Sequence, residues 1–289
     1  MKNRIRQILT WAWLLLVFGG GIFYLATNFD SISEQLRTLS PLRLVAAVGC
    51  LIAGKLMLVQ LSRHSVEVAG MPFSFWRMFT INSLSQLAKY LPGGIWHFVG
   101  RASYYHQDGM TLKQATGAMI VENIWLVSSA LFVGATYFVL YAVDLTRALG
   151  LVVLVVLWVL ILVIMTRWRV PDVRVQDVLV AMLLQIAIWT LLGMALWVLI
   201  PTDDPLGIFP LAVGAFGLSW AIGYLTLFAP SGLGVREAVL VTILAVSIAP
   251  AQSVVFAAIN RLTWVITELI LGFVVRIRDS RAGEVAAVS

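Results

Sequence analysis

The sequence predicts an all-α polytopic membrane protein with six full spans and two opposed re-entrant helical hairpins, arranged as an inverted repeat. Three observations predict it. Hydrophobic residues make up 61% of the 289 and charged residues only 12%, with a mean hydropathy of +0.94; a soluble domain carries roughly a quarter charged residues. The few charges are confined to short stretches between long apolar runs, as loops alternate with membrane spans. Two helix-breaking tripeptides, Pro92-Gly93-Gly94 and Pro230-Ser231-Gly232, each precede an apolar segment too short to cross a bilayer.

Apolar segments fall at 8–27, 42–61, 73–90, 94–107, 114–142, 148–166, 178–200, 207–229, 235–249 and 252–275. Crossing the hydrocarbon takes about 20 helical residues, ~30 Å. Segments 94–107 and 235–249 reach only ~21–23 Å at ~1.5 Å per residue. A short helix returning from a break marks a hairpin whose tip stops inside the membrane. Segment 207–229 is long enough to cross by itself, so eight or more full spans is the alternative. The run 8–27 is too long for a typical signal-peptide core and no clear cleavage pattern follows it, so it reads as a retained first span.

Charge placement orients the chain. Lys2, Arg4 and Arg6 put the N-terminus in the cytoplasm, and Arg63, His64 and Arg77 mark the next inner loop. Arg167, Arg169 and Arg174 form a basic inner loop, Asp203 and Asp204 an outer one, and Arg276, Arg278 and Arg281 leave the C-terminus inside. A plasma (inner) membrane protein with both termini cytoplasmic is the expectation. The net charge of +6 and the pI near 9.8 therefore read as topology signal and anionic-lipid contact, not nucleic-acid binding. The single cysteine, Cys50, excludes an intrachain disulfide and a thiolate metal cluster. Three histidines lack zinc spacing, and no nucleotide loop or nucleophile motif is visible, so neither cofactor nor enzyme chemistry is expected.

Residues 90–95 (Tyr-Leu-Pro-Gly-Gly-Ile) resemble residues 228–233 (Phe-Ala-Pro-Ser-Gly-Leu) at an offset of 138, which also carries 8–27 onto 146–165 and 42–61 onto 180–199. At 139, Trp125 maps to Trp264 and Glu122 to Arg261. Three spans separate the starts of the halves, approximately 1–142 and 143–280, so the second is upside down relative to the first. Inverted repeats place a site near the midplane where broken helices meet. All 289 residues form one integral membrane domain in this reading.

The candidate binding residues follow from that geometry. Gly93, Gly94, Ser231 and Gly232 sit at the tips, where a helix N-terminus offers unpaired N–H groups and a positive dipole end to an anion; a tight bend is the plainer alternative. Arg236 lies just inside a helix N-terminus, where a cation opposes the dipole; it either meets an anion or pairs with a carboxylate such as Glu237. His97, Arg101 and Tyr104 or Tyr105 share one helical face. Glu122 and Arg261, flanked by Asn123 and Asn260, are deep ionisable groups, and their repeat equivalence suggests a mutual ion pair. Lys55 and Glu268 are further intramembrane candidates, and Lys89 stands just before the first tip; Arg101, Lys89 and Lys55 are each close enough to the inner face to snorkel. Eleven tryptophans near span ends read as interfacial anchors.

The motifs Leu91-Pro92-Gly93-Gly94 with Arg101 downstream, and residues 229–237 (Ala-Pro-Ser-Gly-Leu-Gly-Val-Arg-Glu), resemble the flippase-like transmembrane region of lysylphosphatidylglycerol synthases. The likeness covers nearly the whole chain, and the Gly-x-Arg-Glu ending is its more specific part. The soluble aminoacyltransferase domain of the large synthases is expected to be absent, because only 14 residues follow Val275. What the resemblance implies is translocation of an anionic, aminoacylated or polyprenyl-phosphate-linked lipid between leaflets, with that lipid as the partner. The alternatives are a membrane-embedded lipid-phosphate transferase or phosphatase, or an ion or small-solute transporter.

Overall fold

The structure, a computed structural model, describes residues 39–90, 95–142, 149–170, 173–226 and 229–288, together with positions 26, 33 and 37. The expected first span, 8–27, and the first tip, including Gly93 and Gly94, lie outside the described residues. Within them the chain is helical. The helices are α1 (Pro41–Val68), α2 (Phe75–Leu87), α3 (Trp96–Gln107), α4 (Leu112–Ala142), α5 (Leu149–Arg169), α6 (Val175–Leu199), α7 (Pro205–Leu225), α8 (Val235–Leu244) and α9 (Pro250–Val288).

Local chemistry starts several of these helices. Ser40 accepts from Leu42 N–H at 3.3 Å ahead of Pro41, and Ser74 accepts from Arg77 N–H at 3.2 Å. Asp204 accepts from Gly207 N–H at 2.9 Å ahead of Pro205. Each is an N-cap that satisfies one of the orphan donors of a first turn, and proline at the first position gives up a donor that had no partner anyway.

Among the described residues, five helices are long and apolar enough to cross a membrane: 41–68, 112–141, 175–199, 205–225 and 250–278. The chain is therefore a multi-pass membrane protein by length and composition. α2 and α3, with 13 and 12 residues, reach only ~20 and ~18 Å at ~1.5 Å per residue. α8 is shorter still at 10 residues. It ends in a turn before Pro250, so it falls short of the expected 235–249 segment. α9 exceeds the expected 252–275, running on through Arg276 and Arg278 because nothing there breaks a helix.

α1 lies along α6, α4 along α7, and α2 along α9, while the two turns at 88–90 and Pro230–Gly232 touch one another. Helix association inside a bilayer favours small residues that let backbones approach, and the α4–α7 seam shows it. A Cβ on Gly214 would stand 2.8 Å from Phe138 N, and one on Gly134 2.8 Å from Leu218 N. Gly214→Ala should therefore cost about 1–3 kcal/mol through forced backbone displacement. Gly49→Ala on α1, with nothing within 4 Å of the added carbon, should be neutral or slightly stabilising; unfolding of both variants in mild detergent measures the difference.

Two tryptophans in the core beside this seam have hydroxyl partners. Trp189 Nε1 donates to Ser129 Oγ at 2.7 Å and Trp125 Nε1 to Thr166 Oγ1 at 2.9 Å. Fully buried indoles keep a partner in this way.

Candidate functional site

α1, α2, α3, α4, α6, α7, α8 and α9, with Lys89, Ile95 and the second tip, line a cavity of about 290 Å³. Ile95, half exposed at 53%, belongs to its wall. Every described residue expected at the site lines it: His97, Arg101, Glu122, Ser231, Gly232, Arg236 and Arg261. Lys55, Lys89, Asn123 and Glu268 join them.

The second tip owes its shape to backbone geometry. Ser231 adopts φ 55°, and Gly232 and Gly234 φ 68° and 86°, so the chain runs through left-handed conformations that only glycine takes without cost. A Cβ on Gly232 would stand 2.8 Å from Gly223 O, and one on Gly223 2.9 Å from Arg236 Cβ. α7 thus bears directly on the tip and on the first turn of α8. Arg236, 5% exposed, is held there with its guanidinium 4.8 Å from the rings of both Phe216 and Trp264. Cation–π contact is one of the few ways to keep a cation inside an apolar bundle.

Three clusters divide the charges. In the first, Arg101 Nη1 donates to Glu122 Oε1 at 2.9 Å and its Nη2 to Ser62 Oγ at 2.7 Å and to Asn82 Oδ1. Glu122 also accepts from Ser62 and Ser65, at 2.9 and 3.3 Å. In the second, Glu268 accepts from Lys55 Nζ at 2.8 Å and from Lys89 Nζ. Lys55 Nζ lies 3.7 Å and Lys89 Nζ 5.4 Å from the Trp264 ring centre. In the third, Arg261 Nε stands 3.5 Å from Glu237 Oε1, and its Nη2 reaches Ser231 O and Oγ at 3.4 Å.

These contacts correct three expectations. Glu122 and Arg261 do not pair with one another: Glu122 takes Arg101, and Arg261 takes Glu237. Arg101 and Lys55 do not snorkel; both are buried, and Arg101 and Lys89 are held inside by Glu122 and Glu268. Of the two tyrosines expected beside Arg101, Tyr105 keeps that place, its ring centre 5.9 Å from the Arg101 guanidinium and its buried hydroxyl on Met78 Sδ at 3.7 Å, while Tyr104 lies against Arg77. The N-terminus of α8 is partly occupied by its own chain, since Gly234 N–H donates to Glu237 Oε2 at 2.7 Å. A carboxylate at that end complements the dipole.

Sequence reasoning missed Ser62, Asn82, Tyr224 and the part played by Trp264, all of which line the cavity. Helical spacing carried the signal. Lys55 and Ser62 are seven apart on α1, Asn82 and Gln86 four apart on α2, and Arg261, Trp264 and Glu268 fall at i, i+3 and i+7 on α9.

Side-chain atoms of lining residues that are buried without a hydrogen-bond partner are Asn82 Nδ2, Arg101 Nε, Trp264 Nε1 and His97 Nδ1. The first three can only donate. Among the described residues no group of three His, Cys, Asp or Glu is placed to hold a metal ion. The cavity wall is rich in cations: Lys55, Lys89, Arg101, Arg236 and Arg261. No model of a known protein family matches the chain, and no curated protein matches it.

Proposed function

We propose that this chain moves an anionic lipid between the leaflets of the plasma membrane. The observation that carries the reading is the cavity wall: five cations, Lys55, Lys89, Arg101, Arg236 and Arg261, around about 290 Å³ inside a bundle of apolar helices. Buried cations are costly in a bilayer and mark a path or a binding site. The phosphate of a headgroup suits both the charges and the spare donors, and its tails stay in the surrounding lipid while the headgroup crosses.

Two further elements belong to this proposal. α2–α3 and α7–α8 are opposed re-entrant hairpins, in a bundle with six full spans and both termini in the cytoplasm. The halves form an inverted repeat, a reading supported by reciprocal packing. At the 138–139 offset α1 corresponds to α6, α2 to α7 and α4 to α9; α1 packs on α6, and the contact of α4 with α7 has its counterpart in that of α9 with α2. The likeness to the flippase-like region of lysylphosphatidylglycerol synthases points to the same function.

Reconstitution in liposomes tests it. Labelled anionic phospholipid, its lysyl form and polyprenyl phosphate are each loaded in one leaflet, and protein-dependent appearance in the other is followed. Saturable transfer of at least one of them, above a protein-free control, is expected. Modification of a headgroup by the purified protein, with no transfer of any lipid, would replace translocation by the enzyme reading.

A further inference from the structure

Asn82 and Trp264 each bring to the cavity wall a buried donor that has no acceptor among the described residues. Asn82, 8% exposed, turns its Oδ1 to Arg101 Nη2 and to Ser62 Oγ at 3.5 Å. Reversing the amide would set its NH2 against the guanidinium, so Nδ2 is the free end. Trp264, 4% exposed, keeps its Nε1 free, whereas Trp125, its counterpart at the 139 offset, donates to Thr166 Oγ1 at 2.9 Å. Buried polar groups ordinarily find a partner, and the bilayer interior offers no water in its place. An occupant that brings acceptor atoms to both places would supply the two missing bonds.

The two donors belong to different charge clusters. Trp264 stands among cations, its ring centre 3.7 Å from Lys55 Nζ and 4.8 Å from the Arg236 guanidinium, which suits a phosphate oxygen. Asn82 touches Arg101, which is already bound to Glu122 at 2.9 Å, and Glu122 and Asn82 share Ser62 Oγ. An anion at Asn82 Nδ2 would meet that carboxylate; an uncharged oxygen would not. An ammonium only donates, so it satisfies neither place.

We propose that the lipid carries an uncharged hydroxyl-bearing group beyond its phosphate, a polyol or a sugar, and that Asn82 reads it while the phosphate lies on the Trp264 side. A hydroxyl oxygen accepts from Nδ2 and turns its own proton away. A bare polyprenyl phosphate has no second acceptor group to offer, and an aminoacylated headgroup brings donors to donors. This inference rests on the translocation reading for the lipid and its phosphate, and adds the chemistry of the rest of the headgroup.

The test compares phosphatidylglycerol with phosphatidylpropanol of identical acyl chains, which has the same charge and lacks only the two hydroxyls. Lysyl-phosphatidylglycerol is the third ligand. Binding to the purified full chain in nanodiscs is read by thermal stabilisation and by competition against labelled phosphatidylglycerol, with leaflet transfer measured in parallel. Phosphatidylglycerol should bind at least about fivefold tighter than phosphatidylpropanol, the worth of one hydrogen bond to a buried donor. Asn82→Leu should erase that preference. Asn82→Asp keeps the oxygen that Arg101 and Ser62 reach, and so serves where the leucine variant fails to fold. It exchanges the donor for an acceptor and should raise binding of the lysyl lipid relative to phosphatidylglycerol by roughly tenfold. Gln86→Glu, on the same cavity wall, adds an equal charge elsewhere and should raise it far less. Equal binding of phosphatidylglycerol and phosphatidylpropanol, binding of neither, or an equal rise in both acidic variants overturns the proposal. Transfer of lipid without the hydroxyl preference sinks this inference alone. The preference without transfer upholds the Asn82 site and sinks the translocation reading instead.

Discussion

Arg236→Ala is expected to reduce lipid transfer by roughly a hundredfold, as loss of a charge-assisted hydrogen bond worth about 3 kcal/mol would do. Arg236 lies in the first turn of α8, clamped between Phe216 and Trp264 and pressed by Gly223. That clamp holds its position, so the guanidinium meets a headgroup with little ordering left to do. Arg236→Lys keeps the charge but loses the planar fork and much of the ring contact. It should fall between the two, nearer alanine than the wild type. Truncation also opens space between two aromatic rings, so thermal unfolding of both variants must accompany the transfer assay. Near-wild-type transfer by a folded Arg236→Ala protein would remove this arginine from the path.

How much of this was legible beforehand differs between backbone and contacts. Hydropathy and breakers located the starts of the described helices to within a few residues, and most ends except those of α1, α8 and α9, because a bilayer forces long apolar helices to close their own hydrogen bonds. The break at 230–232 was legible for the same reason: proline and glycine are conspicuous where every backbone group must be satisfied. Ion-pair partners were not. Aligning the halves drew attention to Glu122 and Arg261, whose equivalents are both charged. Their true partners have apolar counterparts at the 138 offset, Val239 for Arg101 and Val99 for Glu237, so the comparison hid them. Pairing depends on which side chain is nearest across an interface, and no periodicity within one helix encodes that. Lys55, Lys89 and Glu268 were each visible as charges in or beside apolar segments, but the meeting of both lysines at Glu268 is a property of α1, the turn at 88–90 and α9 together.

The second large effect concerns Arg101 and Glu122, and a double-mutant cycle should expose it. Both side chains are buried, joined at 2.9 Å, and share Ser62, with Asn82 and Ser65 completing the network. Removing one partner leaves a buried charge without compensation, which costs about 3–5 kcal/mol, while removing both avoids that penalty. Glu122→Gln and Arg101→Met should each lose about that much stability in detergent or bicelles, and the double variant should recover at least half of one loss. Glu122→Gln combined with Arg261→Gln serves as the control. Arg261 is engaged by Glu237 and Ser231 instead, so that pair should be additive within about 0.5 kcal/mol, as separate sites are. Additive losses for Arg101 with Glu122, or strong coupling of Glu122 with Arg261, would contradict the arrangement of the three clusters. Transfer separates a structural pair from a working one. If the Arg101–Glu122 pair only braces α3 against α4, the double variant regains transport along with stability; if Arg101 also meets the headgroup, stability returns and transport does not.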